Sequence, residues 1–130
     1  LSADLAIIDK RRSGPGTSEV MNVIGDVRNK ICVIIDDLVD SGGTIVNAAS
    51  ALKNKGAKDV YAYVVHGVLT GQAVKKINNS KIKKFVISNS IMNFKKIKNS
   101  KKFQIISVGT LFAEAIKRIS ISKSVSKLFK

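Results

Sequence analysis

The stretch Ile34-Ile35-Asp36-Asp37-Leu38-Val39-Asp40-Ser41-Gly42-Gly43-Thr44-Ile45 gathers three of the chain's nine acidic residues within five positions. An apolar strand over residues 31–35 runs straight into paired carboxylates and then into a small, glycine-containing loop. Residues 45–52 follow as the first turns of a helix. Strand, loop and helix in that order make a place for a phosphate. Gly42 and Gly43 let backbone N–H groups close on an anion, and the new helix presents its positive dipole end. Ser41 and Thr44 add hydroxyl donors for the same oxygens. Asp36 and Asp37 are expected at the C-terminal edge of the strand, where ligands bind in open α/β sheets. There they can accept hydrogen bonds from sugar hydroxyls or hold a metal-bound ligand. A plain turn capping the helix through Asp40 or Ser41 is the bland alternative, and such a turn does not require the whole combination.

Working outward, short strands alternate with helices, which argues for a parallel α/β sheet flanked by helices. Residues 5–9 read as a short buried strand ending in the charged cluster Asp9-Lys10-Arg11-Arg12. Ser13-Gly14-Pro15-Gly16-Thr17-Ser18 is the most loop-like segment of the chain. Residues 20–27 alternate apolar and polar until Gly25-Asp26 turns the chain. The helix over residues 44–55 should end at Gly56, a favourable residue just past a helix end. Residues 60–65 form the next strand, whose apolar run predicts cover on both faces. Residues 69–78 predict a helix with Thr70 as its cap, residues 84–88 and 103–107 two further strands, and residues 108–119 an amphipathic helix.

At 130 residues and 45% hydrophobic the chain can bury one core and make one modest domain, with no internal repeat. It begins at Leu1, inside a fold, as a fragment does. No run approaches the roughly 20 apolar residues of a membrane span, and no leader resembles a signal peptide. The single cysteine, Cys32, excludes a disulfide framework and reads as a small buried core residue. These features predict a cytoplasmic protein. The net charge of +14 invites a nucleic-acid reading. The lysines, however, are scattered among Ile, Asn and Ser, and aromatics make up only 5% of the chain. A Lys-, Asn- and Ile-rich genome explains that pattern without a nucleic-acid partner.

The run from Ile34 to Thr44 resembles the phosphoribosyl-diphosphate (PRPP) binding loop of type I phosphoribosyltransferase folds. Its neighbours narrow the resemblance. Ile7-Ile8-Asp9-Lys10-Arg11-Arg12, Ser18-Glu19-Val20-Met21-Asn22 and Ile24-Gly25-Asp26-Val27 resemble the ribose-phosphate diphosphokinase (PRPP synthetase) family. So do His66-Gly67-Val68-Leu69-Thr70-Gly71, Ile77-Asn78-Asn79-Ser80, Ser88-Asn89-Ser90-Ile91, Ser107-Val108-Gly109-Thr110-Leu111 and the tail Ser124-Val125-Ser126-Lys127-Leu128-Phe129. The resemblance covers nearly the whole chain, in order, and matches the C-terminal domain of that family over residues 1–130.

It implies a Mg2+-dependent enzyme that transfers the diphosphoryl group of ATP to the 1-hydroxyl of ribose 5-phosphate, giving PRPP and AMP. It also implies a homo-oligomer, commonly a hexamer, and a fragment inactive alone. The principal metal ligands and much of the ATP site would lie in an N-terminal half, leaving no metal ligand here. By the same resemblance, Lys10 and Arg12 are the catalytic basic pair of a flexible loop over residues 10–19, with Arg12 also reaching substrate. Asp36 and Asp37 face the ribose hydroxyls, while Asp40, Ser41, Gly42, Gly43 and Thr44 form the 5-phosphate loop. Asp40 beside a phosphate suits ordering of the loop better than direct contact. Ser124, Ser126 and Phe129 resemble a regulatory phosphate or nucleotide site between subunits. His66, the only histidine, reads as a hydrogen-bonded residue at a strand end. A nucleotide-salvage phosphoribosyltransferase would share residues 36–44 but not the Lys10 to Asn22 region. A non-catalytic PRPP-binding subunit would have lost the basic pair, which is intact here.

Overall fold

The computed structural model describes residues 3–11 and 20–129. An antiparallel pair comes first, β1 (Ile7–Arg11) and β2 (Val20–Ile24), with Ile7 opposite Ile24 and Lys10 opposite Met21. The strands β3 (Ile31–Val39), β4 (Asp59–Gly67), β5 (Lys84–Ser88) and β6 (Phe103–Ile106) then build one parallel sheet, in that spatial order. Helices α1 (Gly43–Asn54), α2 (Ala73–Asn78) and α3 (Phe94–Ile97) fill the connections between them. An amphipathic helix α4 (Gly109–Ser120) and a 3-10 turn at Ser126–Phe129 follow.

Strand order equals chain order, so every crossover advances in one direction. Right-handed connections then put the crossover helices on the same face of the sheet. Ile45, Ala49 and Leu52 of α1 and Ala73 and Ile77 of α2 bury against Val60, Ala62 and Val64 of β4 and against Phe85 and Ile87 of β5. Phe85 is the largest fully buried side chain among the described residues and meets the ring of Phe103 at 5.0 Å between centroids. The other face is largely open over β3 and β4, although Val86 of β5 is buried there. Ile31, Val33, Ile35, Tyr63 and Val65 are exposed there, Ile35 to 79%. The apolar run of β4 therefore does not mean cover on both faces: Val60, Ala62 and Val64 are buried, while the alternate Tyr63 and Val65 meet solvent.

Two further expectations change. The first strand is only half-buried: it belongs to the separate pair, with Ile8 against the core and Ile7, like Leu5 before it, exposed. Cys32 is half-buried against the core rather than enclosed, and burial pushes its thiol up from its ordinary value. Such a thiol stays protonated at neutral pH.

The end of α1 does follow the sequence. Lys55 is the last half-helical residue and Gly56 takes φ +92°. Its N–H donates to the Lys53 carbonyl and that of Ala57 to Leu52, both at 3.0 Å. This paired closure satisfies two of the carbonyls that a helix end leaves without partners. Gly67 is needed for room: a Cβ there would stand 3.0 Å from Ile87 Cδ1.

Candidate functional site at the C-terminal edge of the sheet

The four parallel strands all deliver their C-terminal ends to one edge. β3 reaches that edge four residues later than its apolar run suggests. Asp36 pairs with Val64, Leu38 with His66 and Val39 with Gly67, so the carboxylates Asp36 and Asp37 lie within the strand. Continued pairing with β4, a long-range partner, holds residues 36–39 extended despite two aspartates of low strand propensity. Consecutive strand residues project to opposite faces. Asp36 and Asp37 therefore flank the strand instead of standing side by side, and both are exposed. The Asp37 N–H donates to Asp36 Oδ1 at 2.9 Å, drawing that carboxylate along the strand.

The chain then turns into α1 through Gly42, which sits in the left-handed region at φ +76°. No side chain caps the helix, and its first turn holds no acidic residue. Neither Asp40 nor Ser41 is the cap. The N–H groups of the first turn of any helix lack intrahelical acceptors, and here no side chain caps them. A Cβ on Gly42 would lie 3.5 Å from Ile77 Cδ1 and 3.6 Å from Ala73 Cα, so the loop backs directly onto α2. Gly43 has open space around it, and Thr44 and Ser41 are exposed.

Asp40, at the entry to this loop, is held by Thr70. The Thr70 hydroxyl donates to Asp40 Oδ1 at 2.6 Å, and the Thr70 N–H donates to the Asp40 carbonyl at 3.1 Å. Thr70 was expected to cap a helix over residues 69–78. That helix starts only at Ala73, because the Thr70 hydroxyl is committed to β3's loop and Leu69 takes φ +54°. Sequence reasoning missed this lock, and nothing local to residue 70 distinguishes a cap from a contact 30 residues away.

His66 lies one residue before the end of β4 at the same edge, with its Nδ1 2.9 Å from Ser90 Oγ. Ser88, one of the few buried polar residues, donates to the Val65 carbonyl at 2.7 Å. These bonds tie the ends of β4 and β5 together. Lys10 stands in β1 one residue before its end, with its backbone fixed opposite Met21. Arg12 and the remainder of the expected loop to residue 19 lie outside the described residues. In the tail, Ser124 Oγ and Ser126 Oγ are 2.7 Å apart, Arg118 Nη1 donates to the Ser124 carbonyl, and Phe129 is exposed. Two shallow hollows of about 350 and 390 Å3 lie elsewhere, between β2 and α1 and around residues 25–29. Neither contains any of the carboxylates or glycines of the loop.

A parallel sheet flanked by helices, whose first strand ends in carboxylates and feeds an uncapped, glycine-led helix, defines an α/β protein. The comparisons narrow that class. The profile of the phosphoribosyl synthetase-associated domain family matches residues 10–130, and the chain belongs to that family. It is similar to the ribose-phosphate pyrophosphokinases of Brucella melitensis (54% identical over 129 residues, 99% of this chain and 42% of the relative) and Clostridium tetani (53% over 129 residues, 99% and 40%). That of Bradyrhizobium diazoefficiens is 52% identical over 129 residues, 99% of this chain and 41% of the relative. Among solved structures, the phosphoribosylpyrophosphate synthetase of Mycobacterium smegmatis superposes with a TM-score of 0.79 at 31% identity, covering 90% of this chain and 37% of that one. The chain thus spans about two fifths of the length of the curated relatives it matches.

Proposed function

We propose that this chain is the C-terminal, phosphoribosyltransferase-like domain, residues 1–130, of a ribose-phosphate diphosphokinase. The observation that carries the reading is the uncapped start of α1 at Gly42, placed directly after the carboxylates of β3, in a chain of this family. In the reaction, the 1-hydroxyl oxygen of ribose 5-phosphate attacks the β-phosphorus of ATP. The bond from that phosphorus to the oxygen bridging it to the α-phosphate breaks, the hydroxyl proton is lost, and PRPP and AMP result.

Each group has its part in the proposal. The first-turn N–H groups, with Gly42, Gly43 and the hydroxyls of Ser41 and Thr44, take the 5-phosphate. Asp36 and Asp37 accept from the ribose hydroxyls, one from each side of the strand end. Lys10 and Arg12 act on the diphosphoryl oxygens. Mg2+ bound to the polyphosphate would neutralise charge at the transferring group. By the family resemblance, the proposal assigns the ion's main protein ligands to the rest of the parent protein. The parent is proposed to be a cytoplasmic homo-oligomer, hexameric in form, with Ser124, Ser126 and Phe129 at a regulatory phosphate or nucleotide site between subunits. No helix among the described residues is long and apolar enough to cross a membrane.

Calorimetric titration with ribose 5-phosphate tests the reading. Saturable binding is expected, weakened about tenfold to a hundredfold by Asp36→Ala or Thr44→Ala, the loss of one hydrogen bond involving a charged group. Equal binding by both variants would remove these residues from the site. Absence of binding by the folded parent protein would defeat the functional reading itself.

A further inference from the structure

The turn between β4 and α2 is held more firmly than a connection needs to be. Leu69 is buried and carries a left-handed φ of +54°, an uncommon backbone for a residue with a branched side chain. Three separate groups hold the turn there. Asn93, itself buried, donates from Nδ2 to the Gly67 carbonyl. Lys96 of α3 reaches across with its Nζ 3.1 Å from both the Val68 and the Leu69 carbonyls. From the other side, the Val39 carbonyl accepts the N–H groups of Val68 and Leu69 at 2.9 and 3.2 Å. The product of all these contacts is the placement of Thr70, which grips Asp40 twice, through its hydroxyl and through its backbone N–H.

We propose that Thr70 is a positioning residue for the phosphate loop, and that Lys96 acts through it by holding the Leu69 turn. This rests on the reading of residues 41–44 as a phosphate cradle. Asp40 immediately precedes that cradle. Fixing both its side chain and its carbonyl sets the direction in which the chain enters Ser41 and Gly42, and hence the aim of the N–H groups that follow. Thr70 also occupies an oxygen of a carboxylate that would otherwise be free to swing toward an incoming phosphate and repel it. The cradle is thereby ordered before its ligand arrives, which lowers the cost of binding.

The test uses the full-length protein carrying this domain, with Thr70→Val, Thr70→Ser and Lys96→Met. Two quantities are read: hydrogen exchange of the amides at residues 41–45 without ligand, and steady-state kinetics against ribose 5-phosphate. Thr70→Val should speed exchange at those amides and raise the KM for ribose 5-phosphate about tenfold or more, with kcat at saturation retained. Thr70→Ser, which keeps the hydroxyl, should restore both. Wild-type exchange and wild-type KM in a folded Thr70→Val protein would overturn the proposal. Should that variant fail to fold, Lys96→Met decides, since its side chain is at the surface. Faster exchange confined to residues 41–45 and 68–70 supports the brace, and unchanged exchange refutes it. If Thr70→Val loosens the loop while the wild type binds no ribose 5-phosphate, the brace stands and the functional reading falls.

Discussion

Replacing Lys10 or Arg12 by alanine in the full-length protein should lower turnover by roughly a hundredfold to a thousandfold, the magnitude found when a preorganised charge-stabilising group is removed. The KM for ribose 5-phosphate should change little. Phosphoryl transfer spreads charge over the oxygens of the moving group, and the protein contributes mainly by placing cations where that charge grows. An interaction stronger in the transition state than in the ground state shows itself in kcat rather than in substrate affinity. The backbone at Lys10 pairs opposite Met21. Initial-rate measurements over a grid of ATP and ribose 5-phosphate concentrations provide the check. A raised KM with unchanged turnover would make the pair substrate-binding residues and end the catalytic assignment.

Phe85→Ala should destabilise the domain by about 3–5 kcal/mol, the usual cost of emptying an aromatic site in a packed core. Phe85 has no exposed surface, lies at the centre of the parallel sheet and packs its ring against Phe103. The core cannot close the space cheaply, because Ile77, Ile82 and Ile87 of the same cluster are themselves fully buried. Urea unfolding followed by circular dichroism gives the number from the shift in midpoint. A loss below about 1 kcal/mol, the scale of a surface substitution, would mean that the packed face is not the core that holds this chain together.

The fold class and the order of elements could be read from residues because their signals are local. The strand Lys84–Ser88 falls where its apolar run puts it, and α1 ends where Gly56 permits a left-handed residue. What could not be read depends on partners distant in sequence. β3 continues through Asp36 and Asp37 because β4 supplies its ladder as far as Gly67. Thr70 leaves its apparent capping role because Asp40 competes for the hydroxyl. The short helix Phe94–Ile97 has one turn and almost no periodicity to detect. Tyr63 and Val65 look like core residues in any window, and only the one-sided winding of the sheet exposes them. For the site, the order of residue types gave a strand, a glycine-containing turn and a helix start, and the structure has them in that order. The opposed projection of Asp36 and Asp37 and the lock on Asp40 needed coordinates.

The strand order β3-β4-β5-β6 has a consequence during synthesis. Strands leave the ribosome in the order in which they pair, so each finds its neighbour already waiting and none has to be inserted between two others. The loop at residues 40–44 is the exception. Its own residues and α1 emerge early, but the hydroxyl that locks Asp40 follows 30 residues later. Nascent chains stalled with β4 and Thr70 inside the exit tunnel should leave the loop open to protease, and chains stalled after both have emerged should not. Equal protection in the two would mean that β3 and α1 order the loop unaided.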